Sequence, residues 1–129
     1  MARTASPQPT EVELHILRIL WEHGDLTARQ IHNHLTKDRE TNYSTTVKML
    51  SVMLHKGLIQ RNQSVRPQLF RAAATQKRTQ QRILKDVIQK VYNGSAGSLV
   101  LHALESKKAS PEELAEIRRL LNELEGSAK

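Results

Sequence analysis

The sequence predicts a mostly α-helical chain with one small β wing: three helices, a two-stranded hairpin, then a C-terminal run of helices. Three observations carry this. Apolar residues recur at three- and four-residue spacing in six stretches, capping residues open several of them at fixed offsets, and one pair of short alternating segments flanks a turn ending in Pro67.

Residues 1–8 are polar, with Pro7 inside and Pro9 just beyond, and read as a loose arm. The first helix opens at Thr10, with Glu13 three residues on, the spacing at which cap side chain and backbone satisfy each other's orphan donors. Val12, Ile16, Leu17, Ile19, Leu20 and Trp21 give it a broad apolar face, and Gly24 stops it. Leu26 reads as a one- or two-residue strand. Thr27 and Gln30 repeat the capping spacing and start a second helix with Ile31 and Leu35 inward.

After a polar connection over 36–42, Ser44 and Thr45 offer N-cap hydroxyls to a third helix that runs to Lys56 and ends at Gly57. Periodicity alone allows Val47, Leu50 and Leu54 as its inner face. Segments 58–62 and 68–72 alternate and are joined by Gln63-Ser64-Val65-Arg66-Pro67, a hairpin with a basic tip and Pro67 at its turn or edge. Three helices followed by such a hairpin make a winged helix-turn-helix domain, assigned to residues 9–74.

From Thr75 the pattern changes to a C-terminal helical region, 75–129. Ile83, Leu84, Val87, Ile88 and Val91 mark one amphipathic helix up to Asn93-Gly94. A shorter helix, Leu99 to about Ser106, follows the break from Gly94 to Ser98. A last one starts at Ser110-Pro111-Glu112-Glu113, where N-cap, N1 proline and capping glutamate coincide, and buries Leu114, Ile117, Leu120, Leu121 and Leu124. About 40 helical residues cannot bury such faces within one chain. A second copy is the simplest partner, because a two-fold interface uses one patch twice. The expected homodimer contacts are Ile83, Val87, Val91, Leu99, Leu101, Leu114, Ile117, Leu120, Leu121 and Leu124.

Charge placement points to the function class. The net charge is +7, and between Thr41 and Lys85 lie nine Lys or Arg and no Asp or Glu. A single-sign stretch repels itself unless it meets a polyanion, and its interleaved Val47, Leu50, Leu54, Leu58, Ile59, Leu69 and Phe70 argue that it folds. Double-stranded DNA is the expected partner, with the third helix in the major groove and the wing on the backbone or minor groove. The candidate DNA-binding residues are Ser44, Thr45, Lys48, Ser51, Lys56, Arg61, Arg66 and Arg71. Each has a plain structural explanation, capping for the hydroxyls and a solvated surface for the cations. The cluster carries the expectation.

Other classes fare worse. The chain has no cysteine, which excludes disulfides, thiol nucleophiles and thiolate metal sites. Of six histidines, none sits four residues from another in a ligand pattern, and His32 and His34 point to different sides of a helix, so no metal site is expected. Glycine-rich phosphate loops and nucleophile elbows are missing, with the five glycines placed at helix ends or in the 94–98 break, so neither enzyme nor cofactor is expected. No apolar run reaches the roughly 20 residues of a membrane span and the first residues lack a signal-peptide core, so a cytoplasmic protein without stable membrane association is expected. Two rival readings stay open. One is a winged-helix module that binds another protein and has no specific DNA target; the other is an RNA adaptor, weakened because aromatics are only 3% of the chain and single-stranded readers need stacking surfaces.

The residues also carry a family resemblance. Glu13-Leu-His-Ile-Leu-Arg-Ile-Leu-Trp-Glu-His-Gly24, Leu26-Thr-Ala-Arg-Gln-Ile-His32, Tyr43-Ser-Thr45, Leu50 and Lys56-Gly-Leu-Ile59 resemble the penicillinase repressors of the BlaI/MecI/CopY family. Tyr92-Asn-Gly94, Gly97-Ser-Leu-Val-Leu101 and the Leu114–Leu124 helix extend the likeness over about residues 10–125. The resemblance implies a dimer that occludes a promoter until a membrane sensor metalloprotease, responding to β-lactams, triggers cleavage in the dimerisation segment. Alignment puts that bond at His102-Ala103, where members cut in this way carry Asn-Phe. The cysteine-rich motif of the copper-responsive branch is missing. In the third helix the family often has arginine at Val52 and threonine at Lys48, so a different operator is expected. The resemblance also places Thr46, Met49, Leu50 and Met53 inward.

Overall fold

Reciprocal capping fixes where the first two helices begin. The Thr10 N–H donates to Glu13 Oε1 (2.9 Å) and the Glu13 N–H to Thr10 Oγ1 (3.2 Å); Thr27 and Gln30 make the same exchange at 2.9 and 3.1 Å. In the computed structural model, which describes residues 8–127, they open α1 (Glu11–His23) and α2 (Ala28–Leu35). There follow α3 (Tyr43–Lys56), β1 (Ile59–Asn62), β2 (Leu69–Ala72), α4 (Gln76–Val91), α5 (Ala96–Ser106) and α6 (Pro111–Ser127). Apart from Gln8, the expected arm at 1–8 lies outside the described residues.

Two helix starts differ from expectation. Asn42, not Ser44 or Thr45, caps α3: its Oδ1 accepts from the Thr45 N–H at 2.8 Å and from the Ser44 hydroxyl at 2.9 Å. Asparagine caps as well as serine does, and it lies three residues before the donor it satisfies. Likewise α5 begins at Ala96 on a Ser95 cap, so the break after Gly94 is short and Gly97 sits inside the first turn. The C-terminal stops agree with the sequence: Gly57 ends α3 in the left-handed conformation (φ 79°).

The winged-helix fold follows from what these elements bury. Ile16, Leu17, Ile19 and Leu20 of α1 meet Ile31 and Leu35 of α2, Leu50 and Met53 of α3, Ile59 of β1 and Phe70 of β2. Strands β1 and β2 pair antiparallel from Ile59↔Ala72 to Asn62↔Leu69. Leu26 adds a one-residue bridge to Phe70, with backbone bonds of 3.1 and 2.7 Å. Thr46, Leu50 and Met53 form the inner face of α3, whereas Val47, allowed inward by periodicity, is 42% exposed. Trp21 packs on the rim of this core and donates its indole N–H to the Ala74 carbonyl at 2.9 Å.

By its contacts the chain forms two units, Met1–Ile83 and Leu84–Lys129, dividing inside α4. Buried Thr79 and half-buried Ile83, the latter expected at the dimer interface, line a hollow of the first unit with Leu17 and Leu58.

In the second unit, left-handed Asn93 and Gly94 reverse the chain, the Gly94 N–H closing on the Ile88 carbonyl at 2.8 Å. Ser110 and Glu113 cap α6 reciprocally at 2.9 and 3.0 Å. No residue of α5 or α6 is buried. Leu114, Leu120, Leu121 and Leu124, expected inward, are 39 to 58% exposed and Ile117 is half-buried, because one chain supplies no surface to cover them. Among the described residues, no helix is long and apolar enough to cross a membrane.

Candidate nucleic-acid interface

Once Thr46, Leu50 and Met53 point into the core, the 100° step of an α-helix fixes what α3 shows to solvent. Ser44, Thr45, Val47, Lys48, Ser51, Val52 and His55 are all exposed. Of the expected contacts on α3, Ser44, Thr45, Lys48 and Ser51 therefore lie on one accessible face without an acid.

Lys56 is placed differently. Its Nζ lies 3.0 Å from both carboxylate oxygens of Glu13, whose side chain is only 4% exposed. Glu13 thus caps α1 and neutralises the end of α3 with one carboxylate, and Lys56 serves that contact. Arg71 lies 3.3 Å from Asp25 Oδ2, with both side chains largely in solvent, an arrangement that contributes little and leaves the guanidinium accessible. Both acids come from outside the 41–85 stretch. Arg61 and Arg66 are exposed on the hairpin.

The structure adds residues that sequence reasoning did not select. The Arg29 guanidinium lies over the Tyr43 ring, 3.9 Å from its centroid. His32 meets the same ring edge-on, with centroids 5.6 Å apart, and its Nδ1 shares a 2.8 Å hydrogen bond with Thr46 Oγ1. These contacts tie α2 to the start of α3. Arg29 and Tyr43 line a cleft of about 400 Å³ together with Arg66, Gln63 and Gln68 of the hairpin turn. The cleft brings Arg66 to the start of α3 but not Arg61. Asn42 was legible, since an N-cap residue stands before Tyr43-Ser-Thr45. Arg29 was not, because its partner is fourteen residues away and reached only by folding.

His34, two residues beyond His32, faces α1 and stacks on His23 with ring centroids 4.0 Å apart. Burial, then His23 and Lys37, hold its imidazole below the usual histidine range, opposed by Glu22. Among the described residues, no group of three or more His, Cys, Asp or Glu could hold a metal ion.

Three helices, a hairpin and a bare cationic face define the architecture, and comparison with known proteins gives its lineage. The profile described as penicillinase repressor matches residues 9–123. The chain belongs to the penicillinase repressor family. Among its relatives is the penicillinase repressor of Bacillus licheniformis, 24% identical over 117 residues and covering 91% of each chain. The methicillin resistance regulatory protein MecI of Mammaliicoccus sciuri is 25% identical over 113 residues, or 88% of this chain and 92% of that one. A MarR family transcriptional regulator from Silicibacter pomeroyi aligns in structure over 92% of this chain and 69% of its own, with a TM-score of 0.44 and 21% identity. The penicillinase repressor family consists of transcriptional repressors rather than enzymes.

Proposed function

We propose that the protein acts as a homodimer that occludes a promoter by seating two α3 helices in successive major grooves of a palindromic operator. The observation that carries this reading is the exposed, acid-free face of α3, with Arg66 of the hairpin brought to its start by the cleft that Arg29 and Tyr43 also line. Ser44, Thr45, Lys48 and Ser51 supply the groove contacts, Arg66 and Arg29 reach the backbone beside the cleft, and Lys56 stays with Glu13. Dimerisation is supported by the uncovered apolar residues of α4 to α6: Val87, Val91, Leu99, Leu101, Leu114, Ile117, Leu120, Leu121 and Leu124 are all at least partly exposed. A second copy covers them without any further partner.

Induction by β-lactams, through a membrane sensor metalloprotease, rests on the family resemblance and on the names of the relatives. The corresponding bond, His102-Ala103, lies in exposed α5, where the Tyr92 hydroxyl meets His102 Nδ1 at 3.4 Å. Cutting there requires that turn of helix to open. The deciding experiment selects duplexes from a random library with the full chain and follows affinity against salt. Six to ten phosphate contacts per dimer lower affinity by about 10³- to 10⁵-fold between about 50 and 200 mM salt. A flat salt response, or no selected sequence, would leave a protein-interaction module as the better reading.

A further inference from the structure

Seven side chains of α3 face solvent, and two of them are valines: Val47 is 42% and Val52 44% exposed. Local structure gives no reason for them. Valine is a poor helix former because its branched Cβ crowds the preceding turn, and neither residue belongs to the core cluster. Their neighbours are polar. Ser44 lies one turn before Val47, Ser51 one turn after, and Lys48 is next in sequence on the same exposed side.

The two valines differ in their place along the helix. Val47 is the fifth residue of α3, in the half whose residues lie nearest the base edges when such a helix docks, whereas Val52 is in the half further from them. Among the four bases, thymine alone presents an apolar group to the major groove, its C5-methyl. A hydroxyl can donate or accept and an ammonium can donate to any base or phosphate acceptor, but a valine gains only where that methyl covers it. The surroundings admit a polyanion, since no Asp or Glu occurs from Thr41 to Lys85.

We propose that Val47 packs against the C5-methyl of a thymine and is the residue that demands a thymine in each operator half-site, beside the position met by Lys48. This rests on the reading that α3 enters the major groove, and it adds a base identity to that reading.

The test uses the full chain and a duplex it has selected from a random library. Each thymine of one half-site is replaced in turn by deoxyuracil, which removes only the methyl, and affinity is followed by fluorescence anisotropy. One replacement should weaken binding about fourfold, the value of one methyl withdrawn from apolar contact. With Val47→Ala, thymine and uracil duplexes should bind alike at that position. Because Val47 lies outside the core, the alanine variant keeps its helix content, which circular dichroism verifies. If no replacement weakens the wild type, or if Val47→Ala retains the same sensitivity, the assignment is overturned. Failure to select any duplex would instead overturn the DNA-binding reading beneath it.

Discussion

Lys48 shows what one exposed cation contributes. It stands on the accessible face of α3 with no acid on its own element, so its ammonium is available to a phosphate or a guanine edge. Lys48→Ala is expected to weaken operator binding about tenfold and to lower the salt slope by about two, since the proposed dimer presents the residue twice. Its elution volume in gel filtration should stay that of the wild type. His34 behaves oppositely, as a group whose proton the fold disfavours. Because its imidazole lies below the usual histidine range in the native state, the unfolded chain binds the proton more readily. Stability is thus undiminished above that range and declines as pH falls through it. His34→Gln should flatten this decline, and urea midpoints taken from pH 8 to 5 would reveal it. Sequence gave a fair account of residues whose role is set by their immediate neighbours, such as Thr10, Glu13, Thr27 and Gln30. It missed the Arg29–Tyr43 stack and the Lys56–Glu13 pair, because both depend on partners brought close by tertiary folding.

At the scale of elements, starts and stops were legible where a short-range device marks them, and ambiguous where two candidates competed. Asn42 caps α3 where Ser44 and Thr45 were expected, and Ser95 moved the start of α5 three residues earlier than the apolar pattern suggested. The inner face of α3 shows the limit of periodicity: Thr46, Leu50 and Met53 are buried, with Met49 and Leu54 packed beside them, and of the residues that periodicity allowed inward only Val47 faces solvent. Buried Thr46 resolves its polarity locally, its hydroxyl meeting His32 and donating to the Asn42 carbonyl at 3.4 Å. Glu13 joins two elements, since its carboxylate accepts from the Thr10 N–H at the start of α1 and from Lys56 at the end of α3. Glu13→Ala removes both bonds and leaves a partly buried ammonium unpaired. A loss of about 2–3 kcal/mol is expected in urea unfolding, with Lys56→Met costing a comparable amount, because it keeps the cap but leaves a carboxylate that is only 4% exposed without its counter-ion.

For the whole molecule, buried residues are confined to one part of the chain. Every buried side chain among the described residues lies between Glu13 and Thr79, and α5 and α6 hold none. Composition and period gave the apolar stripes of the C-terminal helices; whether one chain could cover them required the structure. If a second copy covers them, Leu120→Asp, placed on a residue 55% exposed here, should convert the dimer to monomer in sedimentation and lose operator binding only through that change. The winged-helix unit should retain its far-ultraviolet signature, since Leu120 is outside its core. The uncovered leucines also have a dynamical corollary. With a second copy as their cover, forming this half of the protein would be a second-order process, so the fraction assembled would fall on dilution even at constant temperature and solvent. Wherever the copies are sparse enough to dissociate, halving their concentration would cut the competent pairs by up to fourfold, and transcription would respond to dosage more steeply than any single-site occupancy permits.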